Sequence, residues 1–156
     1  MERLSTVLKR LRWIPAAALI AFFGWVVVGI VRDEAGKYHQ QLLQEFQLIR
    51  PLAGSAVVDT QEHYSRLFQG KALVGAEYAT EADYTTVYQY YDKELSSKGW
   101  RFVEEHQVKT MYRNDEGQER SYCKGPLFAG LFYRSRRAQA GWKYALDLTW
   151  GVHRCN

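Results

Sequence analysis

The chain lacks the short motifs that mark most catalytic sites. Its 156 residues contain no G-x-S-x-G elbow, no H-E-x-x-H, no P-loop and no G-x-G-x-x-G. His39, His63, His106 and His153 are scattered through a linker and several presumed strands, with no acidic or nucleophilic partner at a telling spacing. Ser55 after Gly54 is a turn residue, and Glu104-Glu105 or Asp115-Glu116 would point to opposite sides of a strand or lie in a turn. These absences argue against an enzyme, apart from one whose site assembles only in three dimensions, and no cofactor is implied. Internal repeats and low-complexity tracts are also missing.

Excess charge is scarce where it would matter. The chain has 21 Lys and Arg against 17 Asp and Glu, but the first 31 residues hold 4 and 1 of these, leaving 17 against 16 for the remainder. A nucleic-acid-binding domain needs a basic face, and only Arg134, Arg136 and Arg137 cluster beyond residue 31. A nucleic-acid partner is therefore not expected.

What the chain does have is WIPAAALIAFFGWVVVGIV, residues 13–31, 19 residues without a charge. As a helix it would be roughly 29 Å long, enough to span a bilayer. A cleaved secretory signal has a shorter apolar region of about 7 to 15 residues followed by small residues. Here Arg32-Asp33-Glu34 follows directly. The expectation is a retained anchor, with a cleaved signal or a buried soluble helix as alternatives. Arg3, Lys9, Arg10 and Arg12 precede the run, so the positive-inside tendency puts residues 1–12 in the cytoplasm and everything after Val31 outside.

Residues 32–50 read as a membrane-proximal helix or linker. Tyr38, Leu42, Phe46 and Ile49 fall near one helical face before Arg50-Pro51 breaks the pattern. That stripe either packs on the following domain or pairs with another chain, and the former is favoured because the run is short for a coiled coil. Residues 51–156 suffice for one small domain.

Within it, TEADYTTVYQYYDKELSSKGW places Tyr84, Val87, Tyr88, Tyr91 and Leu95 on one helical face. Thr80 with Asp83 three residues later has the spacing of a capping box. At the other end Gly99 suits the left-handed C′ position, which makes Leu95 and Trp100 the touching pair of a Schellman motif. WKYALDLTW alternates, with Trp142, Tyr144, Leu146, Leu148 and Trp150 on the buried side and Lys143, Ala145, Asp147 and Thr149 facing water. VKTMYR and QERSYCK flank Asn114-Asp115-Glu116-Gly117, a hairpin signal, and SAVVDTQEHYS, KALVGAEYA, WRFVEEH and LFAGLFY read as further strands. The predicted fold is α+β, one main helix laid on a twisted antiparallel sheet.

Tyr78, Thr80, Val87, Tyr90-Tyr91, Leu95 and Gly99-Trp100 form a Y-x-T…V-x-x-Y-Y-x-x-x-L-x-x-x-G-W pattern over about 23 residues. This resembles a pattern in small bacterial envelope proteins and lipoproteins of unassigned role. The resemblance implies a location and a fold, not a reaction. The chain departs from the lipoproteins in having no cysteine beside its apolar segment.

Cys123 and Cys155 are the only cysteines, on the side assigned to the exterior, where disulfides persist. Alternation puts both on the polar face of their strands, so a disulfide across neighbouring strands is expected. The alternatives are free thiols, or a metal held by Cys123, His153 and Cys155, though three ligands do not close a structural site.

Aromatics are abundant, 19 in the 125 residues after Val31. Tyr90 points away from the helical stripe and Tyr133 borders Arg134, Arg136 and Arg137, which makes these five residues the candidate protein interface. Three readings remain. The first is a membrane-anchored, noncatalytic domain in a bacterial periplasm, an accessory or assembly component contacting another envelope protein. The second is a small-molecule or lipid-binding module with an aromatic-lined pocket, and the third is an enzyme. A large apolar cavity between helix and sheet would favour the second.

Overall fold

The computed structural model describes residues 34–65, 71–110, 115–134, 143–151 and 155. The apolar run 13–31, the basic tail before it, Trp142, Arg136, Arg137 and His153 lie outside the described residues. Among the described residues no helix is long and apolar enough to cross a membrane.

Helix α1 (Glu34–Leu48) leads into strands β1 (Ala56–Ser65) and β2 (Lys71–Ala79). Helix α2 (Tyr84–Ser97) follows, then β3 (Arg101–Thr110), β4 (Asp115–Lys124), β5 (Leu127–Arg134) and β6 (Tyr144–Trp150). All pairings are antiparallel, and the sheet order is β1-β2-β6-β5-β4-β3. The fold is thus α+β with a six-stranded antiparallel sheet. After β2 the chain crosses through α2 to the far edge, then returns as a four-strand meander that ends against β2.

The helical layer differs from the expectation of one main helix. The stretch 32–50 supplies helix α1, which is part of the compact unit Glu34–Asn156. Its apolar stripe lies on the sheet: Leu42 and Ile49 are buried, Phe46 packs against the same cluster, and the Tyr38 ring stacks on Trp150 at 4.4 Å. Val87, Tyr91 and Leu95 of α2 join that cluster with Tyr122, Leu127, Leu131, Tyr144, Leu146 and Leu148 from the sheet. Two helices side by side cover what one could not, because six strands present a wider apolar face than a single helix spans.

At the end of α2, Gly99 has φ +83°, the Trp100 N–H donates to the Leu95 carbonyl, and the Gly99 N–H donates to Ser96. These are the hydrogen bonds of a Schellman motif, and Trp100 is buried beside the helix end. The start needs a correction. Asp83, not Thr80, is the N-cap, its carboxylate accepting from the Thr86 N–H at 2.7 Å. Thr80 instead accepts from the Ala82 N–H in the preceding turn. Asp is the better cap at that spacing because its side chain reaches the N3 amide as a charged acceptor.

The hairpin between β3 and β4 is also displaced. Thr110 pairs with Asp115 and Val108 with Gly117, so Asp115, Glu116 and Gly117 belong to β4. Gly117 has a packing role there, since a Cβ would run into the Tyr133 carbonyl and the Phe132 ring. A further correction concerns the second face of the sheet, where Ala145, Phe128 and Glu77 are buried. The side chains of Asp147 and Glu119 lie over Gly75 and Gly130, where the missing Cβ atoms leave room for carboxylates to lie close to the sheet.

Candidate functional site

The described core between helices and sheet is a contiguous cluster of buried side chains. Tyr91, Tyr144 and Tyr78 form a contiguous aromatic stack, with ring centroids 5.6 Å and 4.8 Å apart, and the Tyr91 and Tyr144 hydroxyls lie 3.2 Å from each other. Burial, then the Tyr144 hydroxyl, pushes Tyr78 up to about 12, and the same causes raise Tyr91 further. The Tyr78 and Tyr91 phenols are neutral structural groups at any physiological pH.

Beside this stack, Arg120 of β4 sits between α2 and β3. Its guanidinium lies 4.5 Å from the Tyr88 ring centroid and 4.4 Å from that of Phe102, and one nitrogen reaches Asp92 at 2.9 Å. Glu105 stands 3.5 Å from Arg120 and accepts a hydrogen bond from the Tyr84 hydroxyl, while Tyr122 donates to Asp92. Burial first, then the accepting carboxylates, raise both Tyr84 and Tyr122. A planar cation stacked between two rings and paired with two carboxylates holds α2 onto β3 and β4. Nothing in this seam presents a nucleophile beside a base.

Next to it, Tyr84, Gly117, Gln118 and Tyr133 line a cleft of about 210 Å³. That is below the usual size of a small-molecule site. Among the described residues no group of three or more His, Cys, Asp and Glu side chains is placed to hold a metal ion.

Cys123 and Cys155 are paired as a disulfide, their Cα atoms 5.6 Å apart. The route differs from the expected bridge between adjacent strands, because β5 separates β4 from β6. Gly151, at φ +83°, follows the end of β6, and Cys155 Sγ comes within 3.9 Å of the Tyr122 carbonyl of β4.

Of the five candidate interface residues, Tyr90, Tyr133 and Arg134 are described, and none of these three is an exposed side chain. Tyr90 donates through its hydroxyl to the Arg50 carbonyl and packs against the core, tying α2 to the segment after α1. Tyr133 donates to the Ala82 carbonyl and packs against Tyr84. Arg134 is buried on the second face, with 3% of its surface exposed. Helical phase puts Tyr90 off the apolar stripe, but its phenol turns inward to a backbone carbonyl, whereas Tyr133, singled out for its arginine neighbours, shares a strand face with the buried Ala129 and Leu131.

Among the described residues, large apolar side chains stand exposed at Leu48, the last residue of α1, and along the two edge strands of the sheet. In β1, Val57 and Val58 are 57% and 49% exposed, and in β3, Phe102 and Val103 are 42% and 43% exposed. Each edge carries an irregularity in register at that apolar pair, between Val57 and Asp59 and between Phe102 and Glu104. A bulge adds an unpaired residue and re-aims side chains locally. Alternation alone, with no strand order, could not identify β1 and β3 as the edges. Comparison of the chain with protein-family models, with curated proteins and with solved structures finds no match.

Proposed function

We propose that the chain is a membrane-anchored, noncatalytic domain on the outer side of a bacterial inner membrane, an accessory or assembly component that contacts another envelope protein. The supporting observation is the pair of sheet edges, where apolar residues stand exposed at irregularities in register. Large apolar side chains left at a strand edge offer both backbone hydrogen bonds and side-chain contacts to a partner. The 19-residue apolar run and the Cys123–Cys155 pair support the anchor and an oxidising compartment.

The test uses the full chain in its native membrane. After carbonate washing the protein is expected in the membrane fraction, with its C-terminal domain open to protease only from outside. A photo-crosslinking residue at Val103 is expected to trap an envelope protein. Release into the soluble fraction, or no adduct at Val103, would count against the proposal.

A further inference from the structure

We infer that β1 pairs with the β1 of a second copy of this chain, antiparallel about a two-fold axis at Gln61, joining two six-stranded sheets into one. This rests on the preceding reading only in taking sheet edges as contact surfaces, and it leaves β3 for the other partner.

The phase of β1 comes from one hydrogen bond. The Thr60 N–H donates to the Asp59 carboxylate at 2.8 Å, so it serves no rung to β2. In an antiparallel ladder both main-chain groups of a residue point to the same side, and sides alternate along the strand. Thr60, Glu62 and Tyr64 therefore direct their main-chain groups to the open edge, while Asp59, Gln61 and His63 direct theirs to β2. A second β1 can pair only with these even-numbered residues against one another, which restricts the register.

Chemistry selects among the allowed registers. An axis at Glu62 would set its carboxylate against its own copy, and an axis at Thr60 would set Glu62 against Val58. With the axis at Gln61, the Thr60 N–H turns from the Asp59 carboxylate to the Glu62 carbonyl of the second copy, which frees Asp59 to stand opposite His63, twice, and Val58 stands beside Tyr64 twice. Asp59, Gln61 and His63 share one face by alternation, so both charge-complementary pairs lie on the same side. The exposed Val57 and Val58 are covered in the same step. In β3, an axis at Glu105 opposes like carboxylates, and that residue is already engaged by Tyr84 and Arg120.

The register predicts that Gln61 meets Gln61 at a non-hydrogen-bonded position, where Cα atoms are about 4.5 Å apart and a disulfide fits. In the full chain, Gln61→Cys is expected to give a covalent dimer on mild oxidation, Cys123 and Cys155 being already paired. Glu62→Cys, at a hydrogen-bonded position and off the axis, is expected to give little. Thr60→Pro should leave the fold intact, because an edge strand tolerates proline where its N–H faces outward, but should abolish the dimer. Asp59→Lys should weaken association by on the order of tenfold, and adding His63→Glu should restore it. A monomer by light scattering, or equal crosslinking at both cysteine positions, would overturn the inference. A Val103 adduct obtained from the same monomer would leave the proposed function standing, whereas a β1 dimer without that adduct would do the reverse.

Discussion

Asp83 and Gly99 bracket helix α2, and each acts through a single geometric property. The Asp83 carboxylate takes the Thr86 amide, and that hydrogen bond holds its pKa below the usual carboxylate range. Asp83→Ala should therefore lower the melting temperature at neutral pH, and by more than Thr80→Ala does. Because the folded pKa is depressed, the contribution is present above the unfolded value of 3.8 and fades as pH falls through the folded one. Melting curves of both variants at neutral and acid pH check the order. Gly99→Ala meets no clash, since the nearest atom to an added Cβ is Lys124 Cε at 3.8 Å, but it forces an L-residue to φ +83°. The expected cost is about 1 kcal/mol, read from chemical denaturation. The glycine was legible because only the C′ position explains Gly-Trp after a helical stripe. The cap was not legible, because Thr80 and Asp83 are both residue types that cap helices, and only the backbone at Asp83, extended at ψ 169°, with its hydrogen bond to Thr86, separates them.

At the scale of elements, alternation located the strands and helical period located both helices, since each has an apolar face that must be buried. Strand order was not legible. It depends on which faces meet after the crossover, and that decides both the edges and the route of the disulfide. The bridge joins β4 to the tail after β6 across a sequence separation of 32, skipping β5. In the chain-entropy model closing such a loop contributes roughly 3 to 4 kcal/mol. Cys123→Ser and Cys155→Ser should thus destabilise the domain by similar amounts, since either opens the same loop, and His153→Ala should have little effect. Denaturation of the three variants, with thiol alkylation of the unaltered protein, separates the disulfide from free thiols or a metal. Two alkylated thiols would contradict both the pairing and the oxidising compartment.

For the whole molecule, the interior polar groups make stability depend on pH at the alkaline end. Tyr78 is pushed up to about 12 by burial and by Tyr144, and burial also raises Tyr84, Tyr91 and Tyr122. In the unfolded chain each ionises near 10.0. Since the folded pKa is the higher one, the contribution is complete below pH 10 and is lost as pH rises through the folded values. Unfolding midpoints in denaturant should accordingly be insensitive to these groups between pH 7 and 10 and should drop steeply above it. Phenolate absorbance in the folded protein should lag that of the denatured chain and then rise together with loss of structure. Tyr91→Phe removes one such group and keeps its ring against Tyr144, so its alkaline midpoint should shift upward. Removing the Arg120 seam would act differently, because it breaks the pairing of Arg120 with Asp92 and Glu105 and leaves both carboxylates without their cation, a loss felt at neutral pH. Parallel alkaline titrations should therefore show an upward shift of the midpoint for Tyr91→Phe, and for an Arg120→Ala variant a stability already lowered at pH 7.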